Sequence, residues 1–271
     1  MKIVSFNVNS LRLRFHQLEA LIDKHAPDII GLQETKVPDA EFPIEEVCNI
    51  GYHVEFHGQK THYGVAMMSR LPFKKVTKGF PGDSEDAQRR MICGVFETKE
   101  GKPLTVFNGY FPNGEKRDHP VKFPGKEKFY ADLITHINAD FSNTDPIAVI
   151  GDFNIAPVDE DIGISDSRKK TWLKQGHVSF LPEEREWFAK LSEFGLDDTY
   201  RIKYPDATDN LSWFDYRTRG FERTPKSGLR IDHILTTKSL TETLVDSGMD
   251  YDIRGMEKPS DHAPVWSEFD Y

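Results

Sequence analysis

A chain of 271 residues can hold one large domain or two small ones. With 38% hydrophobic and 29% charged residues its composition is that of a globular core, which excludes a disordered or low-complexity chain. The formal net charge of −9 counts against a protein that merely coats nucleic acid, because nonspecific affinity comes from neutralised phosphates, so local basic loops would have to grip such a ligand.

In chain order, Val4-Ser5-Phe6 reads as a strand ending in Asn7. Asn9-Ser10 offers a helix cap, and Leu11, Phe15, Leu18, Leu21 and Ile22 recur at helical spacing until Ala26-Pro27 stops the pattern. Asp28 to Gln33 is the next strand, with Glu34 at its end. Val54 to Phe56, Val65 to Met68, Met91 to Phe96 and Leu104 to Phe107 follow with turn residues between them, which favours hairpins, and the last leads to Tyr110. Phe129, Leu133, Ile137 and Phe141 mark a second amphipathic helix. Ile147 to Ile150 is too short for a helix and right for a buried strand, ending in Asp152-Phe153-Asn154. Pro182 opens a third helix, in which Trp187, Leu191 and Phe194 share a face until Gly195. Leu229 to Ile231 reads as a strand ending in Asp232, and Asp261-His262 precede a last strand, Val265 to Phe269. Helices outside antiparallel-rich, mixed sheets are expected.

Nothing separates the halves as a linker, and the candidate site draws on both ends of the chain, so a single domain over residues 1–271 is expected. Cys48 and Cys93 form neither a CxxC pair nor zinc-type spacing, which fits a reducing compartment. The first residues lack a secretory apolar region, and no run of about 18 apolar residues occurs, so a cytoplasmic chain without a membrane span is expected. GxGxxG and GxxxxGK[ST] strings are absent, which leaves a dinucleotide fold or P-loop without support.

Polar residues recur at strand ends, and if those ends converge they build a pocket of carboxylates, amides, an imidazole and a phenol with almost no cation inside. Such a pocket suits a hard cation and a phosphate. Glu34 is the first candidate metal ligand, with Asn7 beside it. Asp152 and Asn154, spaced two apart, point to one side if the backbone stays extended, one to align a water and the other to donate. Asp232 and His262 suggest a carboxylate-imidazole pair in which the acid fixes the tautomer and the other nitrogen faces phosphate. Asp261 could help the metal, and Tyr110 could donate its hydroxyl. Singly, each has a plainer reading: a loop carboxylate, a turn amide, a satisfied buried acid, a core histidine, a packed aromatic. A Ser260-Asp261-His262 nucleophilic triad is disfavoured because neighbours on an extended segment face opposite ways.

QETK at Gln33–Lys36, NGYFPNGE at Asn108–Glu115, GDFNIAP at Gly151–Pro157, SWFDYR at Ser212–Arg217, LRIDHIL at Leu229–Leu235 and SDHAPV at Ser260–Val265 together resemble the exonuclease III family. The likeness spans nearly the whole chain and includes GFPGDSEDAQRR, RDHPVKFPGK and FLPEEREW, outside the site. It implies a four-layer α-β-β-α sandwich of two mixed, mainly antiparallel sheets with helices outside. It further implies a bacterial, monomeric, Mg²⁺-dependent DNA repair phosphodiesterase, with Mn²⁺ able to substitute. Such an enzyme cuts 5′ of abasic sites in double-stranded DNA, degrades from 3′ ends and releases 3′-phosphates. By the resemblance, Glu34 is the metal ligand, with Asn7 and Asp261 in support. Asp152 orients and deprotonates water, Asn154 holds substrate, Asp232 and His262 form the pair, and Tyr110 contacts phosphate. Trp213 and Phe214, with Leu229 and Ile231, resemble a small apolar pocket for an extruded baseless sugar. Arg89, Arg90, Asn113, Lys116, Arg117, Lys122, Arg168, Lys169, Lys170, Arg217 and Arg219 are candidate DNA contacts. The loop from Asp159 to Gly176 is expected near the DNA, and His233 could face either the core or the site.

Two other readings stay open at this stage. A superfamily relative acting on a phospholipid or inositol phosphate headgroup has the missing export signal and the loop motifs against it. A protein that recognises damaged DNA without cutting would be expected to have a decayed site.

Overall fold

The computed structural model describes residues 1–271. Its strands are β1 (Lys2–Asn7), β2 (Ile29–Gln33), β3 (His53–His57), β4 (Val65–Ser69), β5 (Lys75–Lys78), β6 (Met91–Glu97), β7 (Pro103–Tyr110), β8 (Ile147–Asp152), β9 (Leu196–Asp198), β10 (Asp232–Thr237), β11 (Leu244–Met249) and β12 (Val265–Phe269). The longer helices are α1 (Leu11–His25), α2 (Ile44–Asn49), α3 (Lys122–Asp140), α4 (Asp166–Lys174) and α5 (Pro182–Phe194). No helix is long and apolar enough to cross a membrane.

The strands form two six-stranded sheets, ordered β11-β12-β1-β2-β4-β3 and β5-β6-β7-β8-β10-β9. Each is mixed and mainly antiparallel, with β1 parallel to β2 in one and β7 parallel to β8 in the other. Every residue of β2, β4 and β8 is buried, as strands covered on both faces require. Alternation sorts the side chains: Val4 and Phe6 of β1 face outward to Leu11, Leu18 and Leu21 of α1, whereas Ile3 joins Ile29, Met67, Ile92, Val106 and Ile150 between the sheets. On the far side, Phe107, Val149 and Leu235 meet Phe129, Leu133 and Ile137 of α3 and Trp187 and Leu191 of α5. Burying one such side chain contributes about 1.5–3 kcal/mol, which is how the sheets and their helical covers form the four layers.

The topology decides where the polar tips go. Parallel pairing sends the C-terminal ends of β1 and β2 to one edge, and likewise those of β7 and β8; the two sheets face each other with β1 against β8 and β2 against β7. β10 runs antiparallel to β8, so its first residue lies opposite Asp152, in the pairing Asp232↔Asp152. The segment before β12 reaches the same edge because β12 runs antiparallel to β1. Gln33 donates to Asn108 Oδ1 across the sandwich at 2.6 Å, tying the sheets together just below that edge. Gly31 permits the approach, because a Cβ there would lie 2.7 Å from the same oxygen.

Three local readings are corrected. Asp232 opens β10 rather than ending a strand; Leu229 forms only isolated bridges to Ile162 and Trp213, and the regular ladder begins after residues 229–231. Ser10 makes no side-chain capping bond to α1, and Asn9 and Ser10 both have positive φ, 43° and 91°. Asn9 is used otherwise, donating to Asp261 and accepting from Lys36. The extended backbone assumed for Asp152 to Asn154 breaks at Asn154, which is left-handed at φ 54°.

Candidate active site

A cavity of about 350 Å³ opens at the shared edge, lined among others by Glu34, Tyr110, Asn113, Asp152, Asn154, Asp261 and His262. One ligand atom each from Glu34, Asp152 and His262 lie within 4.8 Å of one another, a grouping able to hold a metal ion. Asn7 is beside them, its Nδ2 donating to Glu34 at 3.0 Å and to Asp152 at 2.9 Å. Its Oδ1 accepts from the Asn9 backbone at 3.0 Å, so the amide presents donors rather than a ligand oxygen to the carboxylates. No lysine or arginine lines the cavity, as its sequence suggested; Lys36, two residues past Glu34, pairs with it at 2.9 Å from outside that lining.

Asp232 and His262 are brought together, Nδ1 to Oδ2 at 2.8 Å, and the other ring nitrogen lies 3.8 Å from Asp152 Oδ2. Ser212 steadies the pair by accepting from the backbone N–H groups of Ile231 and Asp232 at 2.9 and 3.0 Å. Burial opposes the imidazolium, but Asp232 and then Asp152 outweigh it and push His262 up to about 10. Burial pushes the Asp152 carboxyl up to about 7, with Asp232 and Glu34 adding and His262 and Asn7 opposing. Burial, then Glu34, also raises the Tyr110 phenol well above its ordinary value, so it remains a donor at neutral pH.

Asn154 and Asn113 are linked, Asn113 Nδ2 donating to Asn154 Oδ1 at 2.9 Å while Asn154 Nδ2 donates to Phe111 O at 3.0 Å. Each amide keeps one further N–H for a ligand. Asp261 stands at the cavity with both oxygens engaged, by Asn9 at 2.9 Å and Trp213 Nε1 at 3.0 Å, and lies outside the grouping of potential metal ligands.

The chain matches the model of the Endonuclease/Exonuclease/phosphatase family over residues 4–262. It is 55% identical over 269 residues to exodeoxyribonuclease III of Haemophilus influenzae, covering 99% of this chain and 100% of that one. A solved 3′-phosphatase from Neisseria, bound to a product DNA hairpin, superposes with a TM-score of 0.89 at 38% identity, and both chains are covered completely. An AP endonuclease from Archaeoglobus fulgidus superposes at 0.90 with 34% identity, again over 100% of each chain.

The chain belongs to the endonuclease/exonuclease/phosphatase family.

The two mixed sheets with outer helices are that family's fold. Around this edge cavity, Trp213, Leu229 and Ile231 form an apolar wall, joined by Trp172 and His177, which were not singled out from the sequence. Trp172 lies in the stretch 159–176 that reads as a loop in the sequence; it sits instead in α4, where its indole donates to Val178 O at 2.8 Å. Phe214 is not part of this wall. Successive residues on an extended segment face opposite ways, and Phe214 packs fully buried against Phe221 and Tyr251.

Among the basic candidates, Arg90 is 8% exposed, with its guanidinium between the rings of Tyr63 and Tyr110 at 4.1 and 4.5 Å and bonded to Tyr110 O, so it supports the phenol rather than reaching outward. Arg89 pairs with Asp39 at 2.7 Å, Arg117 with Glu183 at 2.6 Å, Lys116 with Asp118 at 3.4 Å and Lys169 with Asp159 at 2.9 Å. Lys122 pairs with Glu115, and Arg168 with Asp215 at 3.7 Å. Exposed pairs of this kind are weak and screened by salt, a small barrier to exchange for a phosphate. Arg217 and Arg219 are exposed. His233 faces the core, between Phe153 and Phe188, with Nε2 on Ile155 O at 2.9 Å.

Proposed function

We propose that the chain is a DNA repair phosphodiesterase that uses Mg²⁺, with Mn²⁺ able to replace it, to cut duplex DNA 5′ of abasic sites and to remove nucleotides and phosphates from 3′ ends. It acts as a single catalytic domain, as a monomer, in the cytoplasm. The convergence of Glu34, Tyr110, Asp152 and His262 on one strand-end cavity, with Asp232 bonded to the imidazole, carries the reading. The names of its relatives, an exodeoxyribonuclease, a DNA-bound 3′-phosphatase and an AP endonuclease, support the substrate and the reactions.

Hard carboxylate oxygens from Glu34 and Asp152 fit a small divalent cation, which keeps several waters and is commonly held by one or two carboxylates plus phosphate. When bound, such an ion supplies charge neutralisation on the phosphate and on the departing oxygen. His262 is not needed as a ligand, since its raised affinity for protons makes both ring nitrogens donors at neutral pH.

The residues divide the remaining work. Asp152, oriented by the Asn7 amide at 2.9 Å and the Asn154 backbone N–H at 3.0 Å, takes the proton of the attacking water and holds that water in line. His262, kept cationic and oriented by Asp232, donates to a phosphate oxygen as negative charge grows there. The Tyr110 hydroxyl and the remaining N–H groups of Asn113 and Asn154 donate to the other phosphate oxygens. Trp213, Leu229, Ile231, Trp172 and His177 enclose the deoxyribose on the 3′ side of the broken bond, where a sugar without a base fits and a full nucleotide is disfavoured by size. Asp261 acts through Asn9 and Trp213, setting the wall rather than touching the phosphate.

Incision of a duplex carrying one tetrahydrofuran residue tests the reading, run beside Asp152→Asn. The wild type should nick 5′ of the analogue, and the variant should lose about 10²–10⁴-fold in rate while melting normally. A variant that cuts at the wild-type rate would remove Asp152 from the chemistry.

A further inference from the structure

We infer that Lys126 and Glu184, both outside the cavity, are positioning residues that set the Asn113–Asn154 donor pair; the inference rests on the function proposed above. Both side chains are 0% exposed, an uncommon place for an ammonium and a carboxylate. Lys126 projects from the first turns of α3, and its Nζ donates to Glu184 Oε1 at 2.6 Å, to Asn154 O at 2.8 Å and to Asn113 O at 3.2 Å. Its three N–H groups thus meet three acceptors, and two of those are the backbone carbonyls of the donor pair. Glu184, on α5, uses its second oxygen to accept from the backbone N–H groups of Ser179 and Leu181 at 2.7 and 2.9 Å. One ion pair therefore ties two helices to three loops, and each of those loops contributes a residue to the cavity: Asn113, Asn154 and Ser179.

Stability alone does not account for this arrangement. A well-packed apolar pair in the same volume would commonly stabilise the fold as well or better, because the desolvation of two charges consumes most of their attraction. An apolar pair could not hold the carbonyl of Asn154, whose left-handed backbone at φ 54° is an unusual state for a residue with a side chain. Rotation of that peptide would swing the Asn154 amide away from Asn113 and lengthen the 2.9 Å bond between them. The turn next to Asn113 is also fitted to Lys126: Gly114 has φ 87°, and a Cβ there would lie 3.1 Å from Lys126 Cδ. Lys126 touches no substrate; it fixes the direction in which the two amides meet the phosphate.

The test is a double-mutant cycle in kcat on the tetrahydrofuran duplex with Mg²⁺, combining Lys126→Met/Glu184→Leu with Asn154→Ala. Replacing both charges avoids stranding either one, and where that protein does not fold, Lys126→Gln takes its place in the same cycle. With the native asparagine present, removing the pair should lower kcat by about ten- to a hundredfold with a much smaller change in KM, as expected for reacting groups displaced by about 1 Å. On the Asn154→Ala background it should cost less than about threefold, because the placement it provides is already lost. Equal losses on both backgrounds, or a loss matching only the unfolded fraction, would overturn the positioning role. A wild type that cuts no DNA with Mg²⁺ would instead remove the functional reading beneath it.

Discussion

Replacing Arg230 by methionine should cost far more than removal of any surface cation. Arg230 is 1% exposed, and its guanidinium donates to Asp161 at 2.6 and 3.1 Å and to Asp198 at 2.6 and 3.2 Å. Methionine matches the aliphatic stem and leaves both carboxylates facing a thioether. Asp161 keeps Arg201 as a partner, whereas Asp198 keeps His233 at 3.4 Å and the Tyr200 N–H at 3.1 Å. Breaking a buried ion pair from one side costs about 3–5 kcal/mol, and the remaining partners place this variant near the lower figure. At about 2–4 °C per kcal/mol for chains of comparable length, the melting midpoint should drop by about 6–12 °C.

The loss should also depend on pH. Burial opposes the charged form of Asp198, but Arg230 and then His233 outweigh it and hold this carboxyl well below the usual carboxylate range. A carboxylate with a depressed folded-state pKa adds stability that is present above its unfolded value, about 3.9, and lost as pH falls through the folded one. The gap between wild type and Arg230→Met should therefore be widest near neutral pH and shrink below about pH 4. Melting both proteins by circular dichroism at the two pH values reads this directly. A drop under about 2 °C at neutral pH, or a gap unchanged in acid, would refute the electrostatic account.

Two further predictions concern the cavity. Asp232→Asn removes the first of the carboxylates that raise His262, so the imidazolium should lose its proton at lower pH and the alkaline limb of the kcat profile should move toward neutrality, with kcat down on the order of 10²-fold; an unmoved limb would exclude His262 as the cation. Leu229→Ala opens the apolar wall, and the ratio of abasic incision to cutting at an intact nucleotide should fall by about tenfold, measured on matched duplexes; an unchanged ratio would place discrimination elsewhere.

Much of the site was legible in the sequence because buried strands that end abruptly in polar residues are uncommon, and Asn7, Glu34, Tyr110 and Asp152 each follow such a run. Their meeting depended on parallel pairing of β1 with β2 and of β7 with β8, which hydrophobic periodicity alone does not disclose. Asp232 comes to the same edge from the opposite strand direction, so its place in the strand is the reverse of the one its sequence suggests. Phe214 was misplaced because adjacency in sequence was read as adjacency in the pocket. Lys126 looks like a solvated helix charge, and only its partner 58 residues away makes it a buried one. No local pattern signals that contact. Short strands such as β5 and β9 were missed because their residues, KVTK and LDD, lack an apolar run.

On the proposed function, carboxylates from distant segments share one divalent ion to break a phosphodiester bond. The most direct measurement of this is nicking of the tetrahydrofuran duplex with Mg²⁺ and with chelator, beside an undamaged duplex bearing a recessed 3′ terminus. Mg²⁺ should give a cut on the 5′ side of the analogue and shortening of the recessed end, and chelator should stop both. Equal cutting with and without the metal, or no cutting of either duplex, would contradict the account.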